Sequence, residues 1–332
     1  MDNKSPFDYI KISQLLEPFS AKNKLIANYQ FLTTFIILWS TILFSYYIIN
    51  ATYYFLFLTI PITSIFMCRS YVIEHDCGHQ SFYASRISNT IIENIMGFGI
   101  LIPYSMWKFI HNSHHTNVGN LDKRELNPEI WTMTVQEFKE SATYKKIAYR
   151  IMRSRFTRMV IVPTINFGII FRLVHPKFSI QAIISVIVHD IIYFIILYLL
   201  SDYFTFSTFF LVFFAPLILF YCIASFTFYA QHQFEDTYWE NDSNWNYNDA
   251  NFKGATCIKA PGWYRWLTGN VLYHNIHHIS TSIPNYNLKN AEKKLSAVIS
   301  YDYIELKKVW HLLGLKLWDE KKKKLVSFEN FS

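Results

Sequence analysis

Charge is scarce in this sequence. Asp, Glu, Lys and Arg together make up 17% of the 332 residues, while hydrophobic residues reach 52% and aromatic residues 19%, proportions that are high for a soluble globule and point toward lipid. Cysteine is scarcer still: Cys68, Cys77, Cys222 and Cys257 stand far apart with no C-x-x-C pair. That excludes a zinc ribbon and a small disulfide scaffold, and leaves free thiols in a reducing compartment. The first apolar run is not expected to be a secretory leader, because it follows a polar, mixed-charge stretch, is too long, and lacks a small-residue cleavage site. The terminal "FENFS" carries no retention or lipidation signal. No H-E-x-x-H is present, so an intramembrane zinc protease would lack its base. There is no internal repeat apart from groups of histidines and no low-complexity linker. The nearest thing is the run Lys321 to Lys324, which reads as a solvated tail or, more sharply, as a contact for anionic headgroups.

What is present in quantity is long oily sequence. Between Lys24 and Arg69 lie 44 residues without a formal charge, about twice the roughly 20 that one helix needs to cross a bilayer. A second block, from Phe178 to Phe234, is broken before its end only by His189, Asp190 and Asp202. These blocks predict four spans near 31–49, 52–68, 180–200 and 208–229, arranged as two hairpins, with Pro61 tolerated inside the second span. The net charge of +7 fits nucleic acid or basic loops beside a membrane equally well until its distribution is considered. The segment 69–178 carries 14 Lys and Arg, whereas the turns near Asn50 and Asp202 carry none. The positive-inside rule therefore puts 1–30, 69–178 and 230–332, with both termini, in the cytoplasm, and no nucleic-acid partner is expected. Two further apolar runs, 95–107 and 159–171, are too short to span and read as interfacial or re-entrant pieces. The expected fold is thus one all-α integral membrane domain over 1–332, four helices topped by a cytoplasmic helical cap.

Eight of the 12 histidines fall in three short boxes: His75 and His79 in "HDCGH", His111, His114 and His115 in "HNSHH", and His274, His277 and His278 in "HNIHH". On a helix, H-x-x-x-H and H-x-x-H-H place their imidazoles on one face, which makes each box a metal claw. Neutral imidazole suits zinc, copper, iron and nickel alike, but eight or more ligands exceed one zinc and divide naturally between two metals. Two redox metals at a membrane face suggest oxygen activation against unactivated C–H bonds, and iron fits that chemistry best. Asp76, Glu235 and Asp236 are candidates for orienting histidine N–H groups. Cys77 is read as packing, His189 with Asp190 as an inward-facing polar pair inside the third span, and His175 and His311 as structural.

The box pattern, with "HDCGHQSF", "HNSHHTNVGNLDKRE", "FYAQHQFEDTYW" and "WLTGNVLYHNIHHISTSIPNYNL", resembles the membrane fatty acid desaturase superfamily, nearest to the bacterial and plastid-type acyl-lipid desaturases of the delta-12 (omega-6) kind. The resemblance covers roughly 30–290. It implies a di-iron centre, molecular oxygen as co-substrate, an acyl-lipid or acyl-thioester substrate, and two electrons per turnover from a ferredoxin or b-type cytochrome. No haem-binding H-P-G-G and no ferredoxin-like cysteine run occurs, so that donor is expected to be a separate protein. Membrane desaturases commonly carry another histidine between the second and third boxes. His232, just past the expected end of the fourth span, matches it and is expected to be a ninth ligand; the alternative is a helix cap. Sister activities on the same scaffold, a lipid hydroxylase, conjugase or carotenoid oxygenase, stay open. A metal transporter or haem-anchoring protein is remoter, because it would need its histidines inside the spans.

Overall fold

The computed structural model describes residues 7–126, 131–173 and 178–331; His175 lies outside them. A short helix α1 (Tyr9–Leu16) leads to α2 (Lys24–Ile49) and α3 (Leu56–Gly78), and then to α4 (Arg86–Phe98), α5 (Tyr104–Asn117), α6 (Val135–Glu140), α7 (Thr143–Met152) and α8 (Val162–Gly168). The second apolar block forms α9 (Ile180–Leu200), a single turn α10 (Phe206–Phe209), and α11 (Ala215–His232). After it come α12 (Tyr247–Lys253), α13 (Gly262–Leu267), α14 (His274–Ile279), α15 (Asn285–Ser296) and α16 (Val309–Leu312).

Among the described residues, four helical stretches are long and apolar enough to cross a membrane: Lys24–Ile49, Tyr53–Gly78, Ile180–Leu200 and Phe206–His232. Their caps are local chemistry. The Asn23 side chain accepts from the amides of Leu25 and Ile26, and Ser179 accepts from Ala182, each satisfying donors that a helix N-terminus leaves open. On α9, Ala182, Val186 and His189 are buried while Ile184, Ile187, Ile191 and Ile195 are exposed. An apolar stripe of that kind facing outward is a surface for lipid. The chain is an integral membrane protein.

Two spans outrun their sequence-based limits. Arg69 reads as the end of the second span, yet α3 continues through it to Gly78, because the buried guanidinium donates to the Trp266 carbonyl and lies 4.3 Å from the centre of the Trp266 ring. The charge is satisfied inside the protein, so the helix need not stop. Likewise α11 runs to His232.

The pairing of the helices also differs in part from two hairpins. α2 and α3 pack along one another, but α11 packs on α3, while α9 lies chiefly against α5, where Met106 meets Ala182 and Val186. At one end the turns meet: the Tyr46 hydroxyl donates to the Tyr203 carbonyl at 3.2 Å and its ring sits 4.4 Å from that of Phe204. The opposite end carries the histidines.

Neither short apolar run forms a span. The first is interrupted between α4 and α5, where Leu101 has a positive φ of 59°. Non-helical backbone at membrane depth must find its hydrogen bonds inside the protein, and here it does. Tyr193 donates to the Phe98 carbonyl, Tyr221 to that of Ile100 at 3.1 Å, and Arg172 to that of Leu101 at 2.6 Å. Arg172 also pairs with Asp190, and His189 packs on the rings of Phe98 and Tyr193. The second run breaks into a π-helical turn (Thr157–Ile161), α8 and a 3₁₀ turn (Ile170–Arg172).

The part outside the spans is not wholly helical, contrary to the all-α expectation. β1 (Met133–Thr134) pairs in parallel with β4 (Leu317–Asp319), which pairs antiparallel with β5 (Lys324–Val326); β2 (Cys257–Lys259) pairs in parallel with β3 (Tyr303–Glu305). These strands of two or three residues tie the C-terminal segment to the histidine end around a core that includes Trp239, Leu272 and Trp318.

Candidate metal centre

Four helices deliver the nine histidines. His75 sits in the last turn of α3 and His79 is its C-cap; His111, His114 and His115 lie along α5; His232 closes α11; and α14 carries His274, His277 and His278. They separate into two groups. His75, His79, His111, His115 and His277 form one, and His114, His232, His274 and His278 the other, with one ring nitrogen from each lying within 4.8 Å of the others in its group. Each H-x-x-H-H box is therefore split: its first and last imidazoles do not simply share a metal position with the middle one, since His114 parts from His111 and His115, and His277 from His274 and His278.

In the four-histidine group the Nε2 atoms close a ring, with His114 to His232 at 3.2 Å, His232 to His274 at 2.9 Å, His274 to His278 at 3.1 Å and His278 to His114 at 3.3 Å. In the other, His111 and His277 each lie close to His115, at 3.0 and 3.1 Å between Nε2 atoms.

Their partners on the far side fix which nitrogen faces inward. The Gly254 carbonyl stands 2.9 Å from His232 Nδ1 and can only accept, so Nδ1 carries the proton and Nε2 offers its lone pair to the centre. The same holds for His75, whose Nδ1 lies 3.1 Å from the Asp76 carboxylate. His278 Nδ1 meets the Asn251 Oδ1 at 3.0 Å, and the Asn251 amide is held in that orientation because its Nδ2 donates to the Tyr247 carbonyl. Three inward lone pairs are thus assigned by hydrogen bonding.

These residues fit a pair of metal ions. Inward-facing lone pairs cannot satisfy one another, and the buried Nε2 atoms of His75 and His79 have no hydrogen-bond partner, an expense that a cation removes. Four nitrogens about 2.1 Å from a shared centre stand about 3.0 Å apart at neighbouring corners of a square and about 3.4 Å apart in a tetrahedron; the ring of four matches that scale. Burial, followed by the neighbouring imidazoles, holds His79, His111, His115, His274, His277 and His278 well below the ordinary histidine pKa. The neutral form so favoured is the ligand form.

Of the three acids expected to orient histidines, only Asp76 lies at the centre. Its second oxygen accepts from the Asn285 amide nitrogens at 2.6 and 2.8 Å, which keeps the first on His75. Glu235 and Asp236 are not brought there: both side chains are exposed and pair with Lys324, because the chain turns outward after α11. Asn251, Gly254 and Asn285 were not legible as site residues. Asn251 and Gly254 belong to a stretch without histidine, and no local spacing links them to the boxes. Cys77 is buried against Ile73, Phe82 and Met96, and His311 lies on α16, away from the centre.

Beside the histidines runs a narrow cavity of about 90 Å³ lined by His75, His111 and His274 and otherwise largely by apolar side chains, among them Tyr71, Phe167, Phe220 and Phe228. From Phe220 to Gln231 it follows α11 for eleven residues, about 16 Å at the helical rise.

A membrane-embedded bundle whose buried histidines meet in a two-metal arrangement at the end of an apolar cavity defines a class, the histidine-box membrane oxidoreductases. Within it, the fatty acid desaturase family profile matches residues 51–310. The chain is 34% identical to a fatty acid desaturase of Bacillus subtilis (strain 168) over 92% of its own length and 86% of that protein's. It is 23% identical to the sn-1 oleoyl-lipid 12-desaturase of Picosynechococcus sp. over 73% of itself and 70% of that protein. With the sn-1 acyl-lipid omega-3 desaturase (ferredoxin) of Synechocystis sp. it shares 25% identity, over 75% and 69% respectively. The chain belongs to the fatty acid desaturase family and is a membrane-bound desaturase.

Proposed function

We propose that this desaturase inserts a double bond into the acyl chain of a membrane lipid at two iron ions, consuming molecular oxygen. His75, His79, His111, His115 and His277 would hold one ion, and His114, His232, His274 and His278 the other. When bound, such a pair supplies oxygen activation strong enough to take hydrogen from an unactivated methylene. Over the whole reaction two hydrogens leave adjacent methylenes, and with two electrons and two protons they reduce O2 to two waters. The electrons come from a separate carrier, a reading supported by the ferredoxin named for the Synechocystis relative.

The observation that carries this proposal is the cavity, whose apolar walls end on His75, His111 and His274. The chain's own contribution is positional. Tyr71, Phe220 and Phe228 exclude water and hold a methylene segment against the histidines, while Asp76, Asn251 and the Gly254 carbonyl keep the imidazoles turned inward. The lack of Lys and Arg in the turns at the opposite end supports a cytoplasmic location for the centre and both termini, with the elements between the spans and after them forming a cap on that side.

Expressed in a host without the activity, with iron and a reduced carrier supplied, the protein should yield a new unsaturated acyl species by mass spectrometry and purify with about two irons per chain, as two groups of imidazoles require. His232→Gln should lower both iron content and turnover. An unchanged acyl profile from a fully iron-loaded enzyme would overturn the proposal, and full iron in His232→Gln would remove that residue from the ligand set.

A further inference from the structure

Beyond the cavity at the histidines lies a second, larger one of about 460 Å³, walled by α2, α9 and α11. Its lining is apolar apart from a few groups, Arg172 and Asp190 among them, and includes Phe213, Leu217 and Tyr221. The first cavity is lined from the same helix by Phe220, Ala224, Phe228 and Gln231. Those positions recur at helical spacing, so one face of α11 runs unbroken past both cavities. From Leu217 to Gln231 on α11 that is 14 residue steps, about 21 Å. A π-helical turn opens toward each cavity: Arg158, on the turn Thr157–Ile161, lines the first, and Phe213 and Phe214, on the turn Phe210–Phe214, line the second. Such turns recur at functional sites.

Between the cavities stand two rings. Phe167 lines the first and Tyr221 the second, and they stack with centroids 5.0 Å apart and planes inclined by 22°. The two rings are held differently. Tyr221 is buried and anchored by its hydroxyl on the Ile100 carbonyl, whereas Phe167 is only half-buried, on the short helix α8, and its other close ring partner is Phe171 at 5.1 Å. Next to Phe167, Gly168 lines the second cavity, and a Cβ added there meets no atom within 4 Å.

We propose that the two cavities are successive parts of one acyl path and that Phe167, leaning on the fixed Tyr221, is the partition that limits how many methylenes extend past the reacting carbons. The inference rests on the reading that the acyl chain occupies the first cavity. Phe167 is a specificity determinant here and touches no reacting atom. The second cavity takes the methyl end of chains that displace its ring.

The test is a chain-length profile. Enzyme is expressed in a host fed saturated fatty acids of graded length, and its desaturated products are separated by mass spectrometry, with iron measured on each purified variant. Phe167→Ala joins the cavities, so the profile should move to longer chains, each further buried methylene adding about fourfold to relative conversion; Phe167→Leu should shift it less. Phe167→Ala with Gly168→Phe refills the opening from the far side and should return the profile toward that of the unaltered enzyme. An iron-loaded Phe167→Ala enzyme with an unchanged profile overturns the proposal, as does an iron-loaded enzyme without activity, since Phe167 would then serve the chemistry. A shift that persists unaltered in the double variant overturns the role of the second cavity. Failure of the unaltered, iron-loaded enzyme to desaturate any chain would instead overturn the reading on which the inference rests.

Discussion

Asn251 meets His278 much as the Gly254 carbonyl meets His232, but only the former can be removed by substitution. Asn251→Leu takes away the acceptor on Nδ1 and frees the ring to turn or to change tautomer, so metal affinity should fall by about 10- to 100-fold. Asn251→Asp keeps an acceptor in place and should recover much of that loss. Titration of the purified variants with iron checks both, and equal affinity in the Leu variant and the parent would show that packing alone orients His278. At this scale the sequence is readable where spacing implies a helix face. The boxes announce a convergence because three- and four-residue intervals stack side chains, His232 enters only through the resemblance and its place past the fourth span, and the nine histidines do come together in two groups. The split of each H-x-x-H-H box between two groups is not readable, since it depends on how α5 and α14 face each other across the site. Nor is the outward turn after His232 that carries Glu235 and Asp236 to Lys324.

Among the elements, the interruption between α4 and α5 has the most demanding requirements. Its carbonyls at Phe98, Ile100 and Leu101 are each met by a donor from elsewhere in the chain, so the break is paid for by three side chains far away in sequence. Arg172→Met should leave both the Leu101 carbonyl and Asp190 without that partner and cost about 2 kcal/mol, below the roughly 3 to 5 kcal/mol for breaking a fully buried pair because these side chains are partly exposed. Adding Asp190→Leu should recover part of it by removing the isolated carboxylate. Thermal unfolding in detergent measures both, and an unchanged midpoint in Arg172→Met would mean that water or lipid meets the carbonyl instead. Hydropathy alone identifies the four spans, because some 20 apolar residues in a row have few other uses. It misplaces their ends, since Arg69 is satisfied by Trp266, and it pairs α9 with α11 because they are neighbours in sequence. The π-helical turns have no signature that periodicity could have exposed.

The whole molecule is polarised, with turns free of Lys and Arg at one end of the spans and every one of the nine clustered histidines at the other. Single cysteines at Asn50 and Asp202 should react with an impermeant reagent from outside the cell, and cysteines at the exposed positions Thr116 and Lys259 only after permeabilisation. External labelling at Thr116 would reverse the orientation. The native thiols interfere little, since Cys68, Cys77 and Cys257 are buried and Cys222 is half-buried. Where the histidines stand along the chain has a temporal consequence as well. His79 and His277 belong to one group of ligands but are separated by 198 positions, roughly 10 to 40 s of ribosomal elongation. Neither group is complete until α14 has left the ribosome, by which time all four spans have been synthesised. Metal loading of a complete group is therefore a late, post-insertion event, and a nascent chain stalled before His274 is a membrane protein with six of the nine clustered histidines awaiting partners that have not yet been translated.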